Sequence, residues 1–191
     1  MTKLTFVTSN KAKATDTQKI LGFPIIIKEA ELDEIQELDL EKVATHKVLQ
    51  AYDKFKVPVF IDDVGFYIKV WNNFPGPFIK WILKAGGGNA SLILKMLEGV
   101  KQREATAKLA VAYHDGKKIH IFLGEIKGTV ANRIRAGNNF GFGWDSIFIP
   151  DGFDKTFGEM TFEEKSTISH RRKALDKFKN YLDSKKSKTT I

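Results

Sequence analysis

The chain has 191 residues, of which 42% are hydrophobic and 28% charged, and this composition indicates one folded globular domain rather than a disordered chain. No apolar run approaches the roughly 20 residues of a membrane-spanning helix, and the absence of cysteine excludes disulfides, thiolate metal sites and cysteine nucleophiles. The net charge of +8 is concentrated in residues 165–191, where nine Lys or Arg and two Asp give +7, leaving +1 for residues 1–164.

The first thirty residues predict alternating strands and a helix. Met1-Thr2-Lys3-Leu4 leads directly into strand-like sequence without a signal-peptide pattern, so we expect a cytoplasmic protein. Leu4–Thr8 reads as a buried strand, Lys11–Leu21 as a helix that ends at Gly22, and Pro24–Ile27 as a second strand. A strand-helix-strand opening is typical of α/β proteins.

The middle of the chain continues this alternation. Apolar residues at helical spacing run from Leu40 to Phe55, and Val59–Ile61 is a third buried strand that ends on Asp62-Asp63. A separate fourth strand is predicted over Gly65–Val70. Gly86-Gly87-Gly88 is typical of a hinge or loop, because it lacks the strand and the lysine that flank a phosphate-binding loop.

The last third combines a hairpin with helices. Alternating residues over Glu104–Tyr113 and again over Ile119–Leu123 predict two strands joined by the Asp115-Gly116 turn. Thr161 and Glu164 have capping-box spacing, and Ser169 can cap a final helix. We therefore predict one α/β domain over residues 1–191 with a mixed β-sheet and flanking helices, and a frayed tail after about residue 184.

The segment Thr8–Lys13 lies between the first strand and the first helix, at the edge where open α/β sheets bind ligands. Helix N-terminal amides, hydroxyl groups and two lysines would form an anion-binding loop. The alternative is a simple helix cap followed by solvated lysines. The pattern alone leaves both interpretations open.

Glu34–Glu37 and Asp62-Asp63 are the carboxylates best suited to a hard cation. Mg²⁺ prefers oxygen ligands and usually takes one or two carboxylates together with phosphates and water. Two adjacent aspartates at a strand end disfavour each other's charge unless a cation or a lysine neutralises them. The alternative for Asp62-Asp63 is a solvent-facing turn.

Aromatic residues and glycines alternate over Phe140–Asp145, after the polar residues Gly137-Asn138-Asn139. Aromatic faces beside small residues can form a stacking site for a base, whereas a buried core with turn glycines is the other interpretation. Ser169-His170-Arg171 places three hydrogen-bond donors at the start of a helix. His170 has no companion histidine at a metal-ligand spacing, so a metal role for it is disfavoured.

Taken together, these segments resemble the inosine/xanthosine triphosphate pyrophosphatase family from Thr8 to about Leu175. Five separated motifs occur in the family's order, which is more specific than any one motif. They are Thr8, Asn10 and Lys13 of T-x-N-x-x-K; the acidic loop Glu34–Glu37; Asp62-Asp63; Phe74–Trp81, in a form similar to that of eukaryotic members; and Phe142–Asp145 with Lys165 and Ser169–Arg171.

The resemblance implies hydrolysis of ITP, dITP or XTP to the nucleoside monophosphate and pyrophosphate. It also implies an elongated α/β fold with two lobes enclosing an active-site cleft, a homodimer, and Mg²⁺ as cofactor. Glu34 and Asp63 would hold the metal, and Asp63 would also accept the proton of water. The implied nucleotide contacts are Thr8, Ser9, Asn10, Lys11, Ala12, Lys13, Lys47, Val64, Lys80, Phe142, Gly143, Trp144, Asp145, Lys165, His170 and Arg171.

Within this set the resemblance implies distinct roles. Lys13, Lys47 and Lys80 would contact the triphosphate. Phe142 and Trp144 would enclose the base, and Asp145, Lys165, His170 and Arg171 would surround its edge and the sugar. Val64 departs from the family, which usually has Ser or Thr there, so a hydroxyl contact to the nucleotide is lost.

Two other functions compete with this interpretation. A nucleic-acid-binding module would use the basic C-terminal helix and show salt-sensitive binding without turnover, but it leaves Glu34, Asp62 and Asp63 unexplained, so we regard nucleic acid as an unlikely partner. A pyrophosphatase of related fold acting on other nucleotides, such as modified pyrimidines, is the second alternative.

Overall fold

The computed structural model describes residues 4–137 and 143–187. The first elements are β1 (Thr5–Val7), α1 (Lys11–Leu21), β2 (Ile26–Lys28), α2 (Leu40–Phe55) and β3 (Val59–Ile68). They are followed by β4 (Phe74–Gly76), α3 (Ile79–Ala85), α4 (Ser91–Met96), β5 (Glu104–His114) and β6 (Ile119–Val130). The last elements are β7 (Phe148–Pro150), α5 (Phe162–Ile168) and α6 (His170–Ser187).

The strands form one mixed sheet in the order β2-β1-β3-β5-β6-β7, and β4 pairs with β3. Strand β1 is parallel to both β2 and β3, as expected for strands joined by helical crossovers, whereas β4 and β7 pair antiparallel with β3 and β6. This arrangement confirms the predicted α/β fold with a mixed sheet.

The chain forms two compact units. The first unit comprises Met1–Asp63, Leu109–Gly124 and His170–Ile191, and the second comprises Val64–Lys108 and Glu125–Ser169. Strands β3, β5 and β6 each contribute residues to both units. The tail after about residue 184, for which the sequence predicts fraying, is helical as far as Ser187, and residues 188–191 lie outside the described part of the chain.

In the first unit, helices cover both faces of the strands. One buried cluster joins Phe6, Phe60 and Val111 to residues of α1 and α6, among them Leu21 and Phe178. The other cluster joins Val7, Ile61 and Ala110 to α2, where Ala44 and Val48 are fully buried. Because successive residues of a strand point to opposite faces, neighbouring residues of β3 contact different helices.

The second unit has its own aromatic core. The Phe66 ring stacks on the Trp144 indole with ring centroids 4.7 Å apart, and both rings meet Phe148 edge-on. Phe157 and residues of α3, α4, β5 and β6 complete this cluster. Contacts of this kind between aromatic rings add stabilisation beyond the area that they bury.

Gly124 in β6 allows α6 to lie directly against the sheet of the first unit. A Cβ atom at this position would lie 2.1 Å from the carbonyl oxygen of His170 and 2.5 Å from the backbone nitrogen of Ala174. Both distances are far shorter than atomic contacts allow. The start of α6 therefore requires glycine at position 124.

The structure confirms several predicted elements and corrects two. Helices α1 and α2 have the predicted bounds, and the capping box of Thr161 and Glu164 begins α5. The strand predicted to stop at Asp62-Asp63 does not stop there, because β3 runs unbroken from Val59 to Ile68. The predicted separate strand over Gly65–Val70 is therefore wrong: its first residues belong to β3, and Lys69–Trp71 forms a 3₁₀ helix. The two aspartates thus occupy the interior of a strand, which removes the solvent-facing turn as their interpretation.

Candidate functional site

The segment Thr8–Lys13 forms a tight loop between β1 and α1. The Asn10 side chain caps α1 by accepting a hydrogen bond from the Lys13 backbone amide at 3.1 Å, and the Thr8 hydroxyl accepts one from the Asn10 amide at 3.2 Å. Ser9, Lys11 and Ala12 are exposed. The cap is therefore present, and it places the first turn of α1 and the Lys13 side chain beside β3.

Asp62 and Asp63 point to opposite faces of β3. Asp62 lies on the face covered by α1 and α6, as Phe60 does, and Asp63 lies on the face covered by α2, as Ile61 does. Alternation along the strand thus gives two adjacent carboxylates separate sets of partners.

Asp62 is the buried centre of an ion-pair cluster. Its Oδ1 accepts a hydrogen bond from Lys13 Nζ at 3.0 Å, and its Oδ2 accepts one from the Arg171 guanidinium. Arg171 also donates to the hydroxyl of Thr17, a fully buried residue of α1, at 3.3 Å. Burial alone would raise the pKa of Asp62, but the charges and hydrogen bonds of Arg171 and Lys13 hold it well below its usual range.

Lys47 of α2 is the centre of the second cluster. Its Nζ lies 3.1 Å from Glu34 Oε1 and 2.9 Å from Asp63 Oδ2, so the two carboxylates converge on one cation. Burial alone would lower the pKa of Lys47, but the charges of Asp63 and Glu34 raise it above its ordinary value. This geometry brings together the two residues that the sequence predicts as metal ligands.

The donor set of Glu34 and Asp63 fits Mg²⁺. Both side chains offer carboxylate oxygens, and the Lys47 ammonium shows that a positive charge can be held between them. Among residues 4–137 and 143–187, no group of three or more His, Asp or Glu side chains is placed to hold a metal ion. A pair is nevertheless sufficient where phosphates and water supply the remaining ligands.

In the second unit, Asp145 and Lys165 form a close ion pair. Lys165 Nζ lies 2.5 Å from Asp145 Oδ2, and Asp145 is almost fully buried. Lys165 Nζ also lies 5.1 Å from the Phe157 ring centroid, within the range of a cation–π contact. These two predicted site residues are therefore neighbours, held by the start of a 3₁₀ turn and by α5.

Other predicted residues of the second unit are placed as follows. Trp144 is 1% exposed and belongs to the aromatic core. This placement agrees with the interpretation of its motif as buried core. Gly143 lies against Leu83, so closely that a Cβ would be 2.7 Å from a Leu83 methyl carbon. Val64 packs against the core, and Lys80 is exposed in the first turn of α3, 5.7 Å from the Trp81 ring centroid. Phe142 lies outside the described residues.

The basic C-terminal segment has partners for several of its cations. Besides Arg171 and Lys165, Arg172 pairs with Asp176 at 2.8 Å, and Lys177 donates to the carbonyl oxygen of Leu123 at 2.7 Å. His170 is buried at the start of α6. These contacts account for part of the local charge by intramolecular pairing. Within the described residues, no helix is long and apolar enough to cross a membrane.

Sequence reasoning missed the part that Asp62 plays. The resemblance assigns roles to Asp63, Lys13 and Arg171, but not to the carboxylate that joins the last two. Thr17 was also missed. The available signal was the alternation of β3: once Phe60 is placed on the α1 and α6 face, Asp62 must share that face.

Comparison with known proteins identifies a family model and several relatives that match nearly the whole chain. A family model described as the Ham1 family matches residues 4–181. The chain is 41% identical over 183 residues to a dITP/XTP pyrophosphatase of Thermococcus kodakarensis, covering 94% of this chain and 97% of that protein. It is 36% identical over 197 residues to an inosine triphosphate pyrophosphatase of Scheffersomyces stipitis, covering 95% and 98%.

Solved structures show the same fold. The Ham1 protein of Staphylococcus aureus superposes with a TM-score of 0.83 at 24% identity, covering 96% of this chain and 100% of that one. A dITP/XTP pyrophosphatase of Mycobacterium abscessus superposes with a TM-score of 0.72 at 26% identity, covering 92% and 98%. On the match of nearly the whole chain to the family model and to these relatives, the protein belongs to the Ham1 family.

Proposed function

We propose that this protein hydrolyses the non-standard purine nucleotides ITP, dITP and XTP to the monophosphate and pyrophosphate, with Mg²⁺ as cofactor. The observation that carries the proposal is the convergence of Glu34 and Asp63 on one cationic group, within a chain of the Ham1 family. Hydrolysis of a phosphoanhydride requires neutralised phosphate charge and a base for water. The first unit supplies both in its lysines and its carboxylates.

Glu34 and Asp63 are the residues that would hold Mg²⁺, whose chemistry here is to neutralise phosphate oxygens and to acidify water. Asp63 accepts the proton of the attacking water. The water oxygen forms a bond to phosphorus as the bond to the α–β bridging oxygen breaks. The products are the nucleoside monophosphate and pyrophosphate.

Lys47 has two successive partners in this proposal. Without ligand its ammonium pairs with both Glu34 and Asp63. With Glu34 and Asp63 engaged as metal ligands, the long and flexible Lys47 side chain would turn to the triphosphate, where a positive charge is again needed. Lys13, at the first turn of α1, and Lys80, at the first turn of α3, are the other proposed phosphate contacts.

Recognition of the base depends on hydrogen bonds at its edge, since stacking hardly distinguishes one base from another. A 6-carbonyl group accepts hydrogen bonds, whereas the 6-amino group of adenine donates them. Arg171, Lys165 and His170 are the proposed donors. Phe142 is the proposed stacking residue. Trp144 is enclosed by Phe66 and Phe148 in the core.

We also propose that the enzyme is a homodimer and that it acts in the cytoplasm, where the nucleotide pool is. Light scattering coupled to gel filtration measures the first property, with twice the 21.6 kDa of one chain as the expected mass. Cell fractionation measures the second.

A panel of nucleotides tests the reaction. The protein with Mg²⁺ is incubated with ITP, dITP, XTP, GTP, ATP and a modified pyrimidine triphosphate, and pyrophosphate and orthophosphate are measured separately. Pyrophosphate should be the primary product, with the highest kcat/KM for the first three. Orthophosphate as the primary product contradicts the proposed reaction, and a preference for the pyrimidine favours the alternative enzyme. RNA binding without turnover favours the nucleic-acid module.

A further inference from the structure

Asp62 lies where the starts of two helices meet strand β3. Lys13 is in the first turn of α1, Arg171 is in the first turn of α6, and each donates to a different oxygen of the Asp62 carboxylate. The two cations come from segments 49 and 109 residues away from Asp62 in the chain. One buried side chain therefore joins the first turns of two helices that are remote in sequence.

The stability of the fold does not by itself account for this cluster. A buried ion pair loses hydration on both partners, and apolar residues of similar volume often serve the fold as well or better. The Asp62 side chain is 3% exposed, whereas those of Lys13 and Arg171 are 18% and 14% exposed. The carboxylate is thus enclosed, while both cationic side chains remain partly exposed.

The charges of this cluster do not cancel. Lys13, Arg171 and Asp62 together carry +1, because one carboxylate faces two cations. Surplus positive charge at a partly enclosed site attracts an anion or an electron-rich acceptor. The two positive charges belong to Lys13, in the loop Thr8–Lys13, and to Arg171, at the start of α6. Because both pair with the same carboxylate, the positions of both cationic groups depend on Asp62.

We infer that Asp62 is a positioning residue for the nucleotide, which fixes the Lys13 ammonium for the triphosphate and the Arg171 guanidinium for the 6-carbonyl of the base. This inference rests on the proposed function and extends it to Asp62, which belongs to a family motif but receives no individual role from the resemblance. Thr17 assists by accepting a second hydrogen bond from Arg171. Asp62 itself does not touch the reacting atoms, since its two oxygens face Lys13 and Arg171.

The test is Asp62→Asn, which keeps the shape of the side chain and removes its charge. Without the carboxylate, Lys13 and Arg171 repel each other and lose their orientation, while the cluster gains positive charge. Turnover of ITP should fall by about tenfold or more, and the ITP-to-ATP ratio of kcat/KM should narrow. Inorganic pyrophosphate in metal-free buffer, followed by calorimetry, should bind about threefold or more tightly, because a repelling charge has gone.

Binding and turnover thus change in opposite directions, which a purely structural role does not produce. A structural role lowers the thermal midpoint and leaves kcat and the ITP-to-ATP ratio of the folded fraction at the wild-type values, and that result overturns the inference. Unchanged pyrophosphate affinity overturns it as well. Asp176→Asn is the matched control, since it removes a carboxylate partner from an arginine of the same helix at an exposed pair and should alter none of the three measurements.

A double variant covers the case in which Asp62→Asn does not fold. Asp62→Asn combined with Arg171→Met removes the carboxylate together with one cation, which avoids leaving both cations unneutralised. If Asp62 acts on base choice through Arg171, the double variant has the same ITP-to-ATP ratio as Arg171→Met alone. A further, independent narrowing of the ratio overturns the inference. Should the wild-type protein release no pyrophosphate from any nucleotide, the proposed function fails, whereas the calorimetric titration still tests Asp62.

Discussion

The two faces of strand β3 carry clusters of opposite net charge. On the face covered by α1 and α6, one carboxylate, Asp62, meets the two cations Lys13 and Arg171. On the face covered by α2, one cation, Lys47, meets the two carboxylates Glu34 and Asp63. Counting these side chains alone, the first cluster carries +1 and the second −1.

This difference indicates which ligand completes each cluster. The cluster around Asp62 lacks negative charge, which phosphate oxygens or a base carbonyl can supply. The cluster around Lys47 offers two carboxylates, which are ligands of the kind that a divalent cation prefers. A magnesium–nucleoside triphosphate complex brings both kinds of charge at once. Two adjacent aspartates can therefore serve different parts of one substrate because the strand turns them to opposite faces.

The largest effect is expected from Asp63→Asn, which removes the proposed proton acceptor and metal ligand from the negative cluster. Because the change is isosteric, the fold should persist while kcat for ITP falls by about 10²–10⁴-fold. Pyrophosphate release at saturating Mg²⁺ measures the rate, and circular dichroism checks the fold. Asp53→Asn, at the exposed pair with Lys56, is the control and should retain full turnover. Turnover at the wild-type rate in folded Asp63→Asn contradicts the assignment.

An intermediate effect is expected from Lys47→Met, which leaves the negative cluster without its cation. Binding of Mn²⁺ as a substitute for Mg²⁺, measured without nucleotide, should strengthen by about tenfold because the competing ammonium has gone. The KM for ITP should rise, since a phosphate contact is lost. Lys42→Met, on the same helix and paired with the partly exposed Glu37, is the matched control. Metal binding that is unchanged or weaker in Lys47→Met argues against the exchange of partners proposed for Lys47.

The smallest effect is expected from Thr17→Val, which alters the positive cluster without changing its charge. The substitution is nearly isosteric and removes one hydrogen bond to Arg171, at 3.3 Å. The ITP-to-ATP ratio of kcat/KM should narrow by about fivefold or less, which corresponds to about 1 kcal/mol. Steady-state kinetics with both nucleotides measure it. A loss of turnover as large as that of Asp63→Asn would show that Thr17 has another role.

The local elements of this fold can be predicted from the sequence because their signals are local. Helix α1 begins after the cap Asn10 and ends before Gly22, which adopts a left-handed conformation with φ of 73°. Helix α2 shows its apolar period over the full length from Leu40 to Phe55. In contrast, the sequence predicts a break in β3 at Asp62-Asp63, because two charged residues interrupt an apolar run. The structure keeps the strand continuous by giving each aspartate cationic partners.

The same reasoning explains which parts of the site could be predicted. Residue types and family motifs identify Glu34, Asp63, Lys13 and Lys47. The structure groups Glu34, Asp63 and Lys47 in one cluster and places Lys13 in the other. The partnership of Asp62 with Arg171 spans 109 residues and has no counterpart in local periodicity. The burial of Trp144 against Phe66, 78 positions earlier in the numbering, is likewise a tertiary contact. Pattern reasoning could offer both the core and the stacking interpretation of Trp144, but could not choose between them.

The contact at Gly124 fixes the position of the start of α6 through backbone atoms, without the side chains of its first residues. The helix rests on β6 through backbone atoms of His170 and Ala174, with no room for a side chain between them. These contacts hold the first turn in place, and they do not involve the side chain at position 171. New residues can be introduced there, for example by random mutagenesis aimed at other bases, on a backbone that stays in register. Position 124 does not tolerate substitution in this way, because any side chain there would displace α6 from the sheet.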